Sequence, residues 1–142
     1  MPVHLFVYGT LRSESLHPMA RRLQAQARLL GNGSVPGLLY DFGTHPGAVF
    51  GPELYQRVLG EVFALRAGDP LLAAVDAYEG CTNESESKLG FRRIKVAVAL
   101  DTGHRLEAWS YGLREVPRPG RPIMSGDWIA QLAARRPRAL RR

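Results

Sequence analysis

Residues 3–8, VHLFVY, form a short run of β-branched and aromatic side chains that stops at Gly9-Thr10-Leu11. Such residues favour a pleated, half-buried backbone, and a glycine directly after them marks the point where the chain turns away. The opening element is therefore a strand meeting a glycine turn. Further extended segments follow. Arg28 to Phe42 reads as two of them, joined or bulged at GNGSVPG (residues 31–37), which has the composition of a turn. Residues 43–52, GTHPGAVFGP, read as a loop because glycine and proline dominate them. Val58 to Leu65 alternates loosely as a strand. Phe91–Leu100 and Arg105–Gly112 read as two more, joined in a hairpin through Asp101-Thr102-Gly103-His104.

Three helices interrupt these strands. Pro18 to about Gln26 offers Met19 and Leu23 to one face. Asp69-Pro70 is a strong start signal, an N-cap acid before a proline, and the helix it opens runs to Glu79 with Gly80 as its stop. Ser125 is the expected cap of a last helix to about Arg135, with Trp128, Ile129 and Leu132 on one face. The stretch from Cys81 to Gly90 is a polar connection. Strands outnumber helices without regular alternation, so the class is α+β.

The 142 residues suffice for one domain with a sizeable core, and 45% apolar with 23% charged residues is globular composition. The net charge of +6 is concentrated at the end: residues 135–142, RRPRALRR, hold five arginines, and without them 14 basic residues face 13 acids. The chain divides into a domain over 1–134 and a basic tail over 135–142, read as a solvated end. No nucleic-acid partner is expected, since no aromatic platform or motif accompanies the arginines. No apolar run is long enough to span a membrane, and the start lacks the pattern of a secretory signal. A soluble, cytoplasmic protein is expected. The lone Cys81 and the unpaired histidines 4, 17, 45 and 104 give no metal-ligand spacing. His45 reads as a surface histidine, or as a ligand contact if its loop rims a cavity. GNGSVPG has neither phosphate-loop nor dinucleotide spacing.

One acid is out of place. On a wheel of ~100° per residue with Val75 at zero, Leu71, Leu72 and Tyr78 fall at about −40°, +60° and −60°. Glu79 falls at about +40°, inside the apolar stripe, and Asp76 at about +100°, on its edge. Burial and the negative helix end both disfavour an ionised carboxyl at Glu79, which would suit it to proton transfer near neutral pH. A final-turn glutamate can equally reach water or pair with an arginine such as Arg93. The turn after the first strand has its own chemistry: successive amides there can hold a carboxylate or a developing oxyanion.

In order, VYGTLR, GLLYDFGTHPGAV, LGEVFAL, AVDAYEG, FRRIKVAV, EAWSYGL and SGDW resemble the γ-glutamylcyclotransferase-like family, over about Val3 to Trp128. The resemblance implies a small mixed β-barrel flanked by helices, with a cavity at one end. It implies cyclisation of a small γ-glutamyl amine, amide or peptide to 5-oxoproline and a free amine, without a cofactor. Glu79 matches the family's catalytic glutamate; Tyr8, Gly9, Thr10 and Leu11 match its substrate-binding loop. Tyr111 matches an aromatic of the last strand that can face the cavity. The chain departs from the pattern at His45 and Gly47, and at Phe91, where a tyrosine is common. A second reading is a non-catalytic member that binds a small amino-acid-like ligand in the same cavity.

Overall fold

A computed structural model describes residues 2–80 and 90–135. Cys81, the rest of the connection through residue 89, and arginines 136, 138, 141 and 142 lie outside the described residues. The described elements run β1 (Pro2–Val7), α1 (Pro18–Gln26), β2 (Arg28–Asp41), β3 (Pro46–Phe50), β4 (Arg57–Arg66), α2 (Leu71–Glu79), β5 (Phe91–Leu100), β6 (Arg105–Leu113) and α3 (Trp128–Ala134). Across the sheet the strands lie in the order β3-β2-β4-β1-β6-β5, and β2 also pairs with β5 at Gly33–Leu100 and Ser34–Ala99. That second pairing closes β2, β4, β1, β6 and β5 into a five-stranded barrel and leaves β3 outside it. β1 runs parallel to β6, with Leu5 opposite Trp109, and the remaining pairings are antiparallel.

The period-2 alternation of β1 builds two cores. Phe6 and Tyr8 join Val35, Val58, Val62, Val96, Val98 and Ala108 in a cluster drawn from all five barrel strands. Leu5 and Val7 point the other way and pack with Leu23 of α1, Leu71 and Val75 of α2, and Phe63 of β4. A strand buried on both faces cannot shift register without exposing one set of side chains, so the end of β1 is a fixed point.

Both ends of α2 follow the sequence. Asp69 Oδ1 accepts from the Leu71 N–H at 2.8 Å, and Gly80 takes the left-handed conformation (φ 81°) that ends the helix. The last helix differs from expectation. Asp127 caps it, accepting from the Ile129 N–H at 3.0 Å, while Ser125 Oγ accepts from Asp127 itself. Trp128 is buried but Leu132 is exposed, so Trp128 is the one buried apolar side chain of this short helix.

The glycines gave the wrong punctuation. GNGSVPG is no turn: β2 passes through it unbroken, with one register shift between Leu29 and Gly31. Its glycines mark close crossings. A Cβ on Gly33 would lie 2.8 Å from Val98 Cγ1, and one on Gly37 2.8 Å from the Val49 carbonyl. The expected loop 43–52 likewise contains a strand, β3, whose Gly47 fits under Phe42 and Leu113 with no space for a side chain. Gly60, opposite Gly33, leaves room for the Phe6 ring: a Cβ there would sit 2.3 Å from the Val7 carbonyl oxygen and 2.7 Å from Phe6 Cζ. Gly60→Ala should therefore overpack the barrel and cost about 2 kcal/mol or more, read as a lower urea midpoint at unchanged m-value; an unchanged midpoint would show that the interior has slack.

Candidate functional site

At the end of β1 the barrel opens into a cavity of about 320 Å³. Tyr8, Gly9, Thr10, Leu11, Glu79 and Tyr111, singled out from the sequence, all line it. They come from three elements: the segment following β1, the last turn of α2, and β6.

Gly9 is required by the protein's own packing. A Cβ there would lie 2.6 Å from Pro46 Cγ, so β3 seats directly on the turn. The turn is closed by the Arg12 N–H donating to the Gly9 carbonyl at 3.0 Å. Among the described residues, the Thr10 and Leu11 amides have no hydrogen-bond acceptor in the protein. Glu61 of β4, buried, braces the same segment by accepting from the Ser13 N–H (2.5 Å) and the Ser13 hydroxyl (2.6 Å). Arg12 ties it to α3 through Asp127 at 2.8 Å. The Tyr8 hydroxyl donates to the Tyr111 carbonyl at 2.6 Å and accepts from the Ala48 N–H at 3.1 Å, stitching β1 to β6 and β3. Tyr8 thus offers the cavity chiefly its ring.

Glu79 keeps some accessible surface because it lines the cavity, yet burial pushes its pKa up to about 7. Its position in the final turn of α2 adds the unfavourable helix end. Arg93, the partner considered for it, is engaged by Asp76 at 2.9 Å. The guanidinium lies over the Trp109 ring, 4.6 Å from its centroid. Asp76 also accepts a short hydrogen bond from the Tyr111 hydroxyl. Burial, then that hydrogen bond and the negative charge of Asp76, raise the Tyr111 pKa far above its ordinary value, so the phenol stays protonated.

Further side chains complete the wall. His17 and Tyr78 line the cavity with ring centroids 4.8 Å apart, and the Tyr78 hydroxyl lies 2.6 Å from Thr10 Oγ1. In the sequence Tyr78 stands in the apolar stripe of α2 and in the AVDAYEG segment, without a role of its own. His45 is not a surface residue: it is half-buried, lines the cavity, stacks on Phe42 at 5.4 Å and packs near Phe91. Burial lowers its pKa and favours the neutral imidazole. The turn bearing His45 is anchored by Asp41. Burial alone would raise that carboxyl, but bonds from Gln131 and the Gly43 amide and the charges of Arg135 and Arg121 outweigh it and hold it low. Arg135, the first arginine of the basic segment, also donates to the Gly43 carbonyl at 2.8 Å.

A five-stranded mixed barrel with an acid and an amide-bearing turn at one mouth defines the class of protein. Residues 5–130 match the family model described as "Gamma-glutamyl cyclotransferase, AIG2-like", and the chain belongs to that family. Among solved structures it is similar to YkqA from Bacillus subtilis, with 26% identity and a TM-score of 0.68 over 94% of this chain and 42% of that one. The chain thus spans less than half the length of YkqA. It is similar to YtfP from Escherichia coli, 30% identical with a TM-score of 0.58, over 91% of this chain and 98% of that one. An AIG2-like protein from Mus musculus shares the fold at 20% identity and a TM-score of 0.63, over 82% and 81% of the two chains. No curated protein matches. Among the described residues no group of three or more His, Cys, Asp or Glu could hold a metal ion, and no helix is long and apolar enough to cross a membrane.

The Glu79 shift has a consequence for stability. The folded protein keeps its proton to about pH 7 while the unfolded chain releases it near 4.5, so this group's contribution falls as pH rises through that window. Glu79→Gln, which cannot ionise, should gain stability over the parent between pH 5 and pH 8.5, by up to about 3 kcal/mol at ~1.4 kcal/mol per unit. Urea melts at the two pH values check this; a stability difference independent of pH would mean the carboxyl is solvated.

Proposed function

We propose that this protein is a γ-glutamylcyclotransferase-type enzyme that converts a small γ-glutamyl amine, amide or peptide to 5-oxoproline and a free amine. One observation carries the reading: a carboxyl with a pKa of about 7 lines the same cavity as the turn at Gly9–Leu11. Family membership supports it.

The α-ammonium group of the substrate is no nucleophile until it loses a proton, and Glu79 is the base that takes it. The freed amine attacks the γ-carbonyl carbon and the new C–N bond closes a five-membered ring. Charge gathers on the carbonyl oxygen, where the Thr10 and Leu11 amides are suited to receive it. The proton held by Glu79 passes to the departing nitrogen and the old C–N bond breaks; the ring nitrogen gives up its second proton to the released amine, and the carboxylate is restored. Nucleophile and electrophile belong to one molecule, so the protein's main task beyond proton transfer is to hold the chain folded on itself. This requires neither metal nor nucleotide. The small cavity fits a small substrate.

A panel of γ-glutamyl amino acids, γ-glutamyl amines and ε-(γ-glutamyl)-lysine should yield 5-oxoproline from at least one member. Turnover of none by folded protein would favour a binding module. For the active substrate, kcat/KM should rise with pH and level off above about 7, as ionised Glu79 becomes the majority form. Glu79→Gln should lower kcat by about a hundredfold or more; near-parental turnover would remove Glu79 from the mechanism.

A further inference from the structure

Asp76 does not line the cavity, yet it bonds a residue that does. Tyr111 has one hydroxyl proton and directs it to Asp76 Oδ1, while Asp76 Oδ2 is taken by Arg93 at 2.9 Å. Arg93 is braced in turn by Trp109. A phenol whose proton is committed behind it offers only lone pairs in any other direction. Tyr111 and Glu79, close enough for the charge of Glu79 to act on the phenol, then bring two acceptors to the cavity, and Thr10 and Leu11, whose amides are donors, line it as well. Resting on the reading above, we infer that Asp76 is a positioning residue: it fixes Tyr111 as a hydrogen-bond acceptor and so builds a subsite for the primary α-ammonium group of the substrate.

The arrangement predicts how a single-atom change acts. In Asp76→Asn the side-chain oxygen is claimed by Arg93, which can only donate, so the amide NH2 faces the Tyr111 oxygen. It would donate into that oxygen, turn the phenolic proton toward the ligand and reverse the polarity of the subsite. An uncharged group in place of the ammonium would hardly register the change.

The test uses ligands that cannot be cleaved. L-Methionine sulfone carries the α-ammonium and a γ-position sulfonyl in place of the amide; 2-hydroxy-4-(methylsulfonyl)butanoate differs only in bearing hydroxyl for ammonium. Calorimetric titration of the full chain should give at least tenfold tighter binding of the ammonium ligand. Asp76→Asn and Tyr111→Phe should each reduce that preference about tenfold, with little change for the hydroxy ligand, and Asp76→Asn should cost nothing further once Tyr111 is phenylalanine. An unaltered preference in Asp76→Asn, equal weakening toward both ligands, additive losses in the double variant, or no binding of the ammonium ligand by the parent would each overturn the inference. Intact discrimination without turnover of any γ-glutamyl compound would instead overturn only the catalytic reading. Turnover with an unchanged preference in Asp76→Asn would overturn only the subsite.

Discussion

The last turn of α2 carries an acid into surroundings that disfavour its charge, and the cavity is organised around that conflict. A solvated glutamate would be ionised throughout the physiological range and too weak a base to draw a proton from an ammonium group. Burial moves Glu79 to about 7, where it can both accept and return a proton. The helix can hold it there because Leu71 and Val75 of the same face are fully buried against β1 and α1. The cost of keeping one carboxyl from water is thus offset by the packing of its own helix.

The second requirement is a rigid floor. β1 is fixed by side chains buried on both faces, and the turn that follows is gripped by Pro46 over Gly9, by Glu61 under Ser13 and by Arg12 on Asp127. Each contact comes from a different part of the chain, so the turn is positioned by the barrel as a whole. Tyr8, which a sequence motif presents as a binding residue, has its hydroxyl bonded to Tyr111 and Ala48 and serves equally as a strut.

Some of this could be read from the chain and some could not, for definite reasons. Local signals placed β1, α1, α2 and the β5–β6 hairpin, because alternation, caps and a turn glycine act over a few neighbouring residues. The wheel put Glu79 among Leu71, Leu72 and Val75, since a helix converts spacing directly into a face. Gly33, Gly37 and Gly47 misled because glycine serves both turns and tight crossings, and the crossing partners Val98, Val49 and Leu113 are distant in sequence. Pairing of β2 with both β4 and β5 is a long-range fact of the same kind. The packing of His45 near Phe91 and the Tyr111–Asp76–Arg93 chain were hidden because each depends on elements far apart in the sequence. Asp76 reads as an edge residue of the stripe and as part of the AVDAYEG segment; its neighbour across space, not its spacing, gives it a part.

The most direct test is a titration of the Glu79 side chain itself. Carbon-13 NMR of glutamate-labelled protein, with Glu79→Gln identifying the resonance, reads the carboxyl through its chemical shift. The account predicts a midpoint near 7. A midpoint near 4.5, the value of a glutamate in water, would contradict it and leave the cavity without its base.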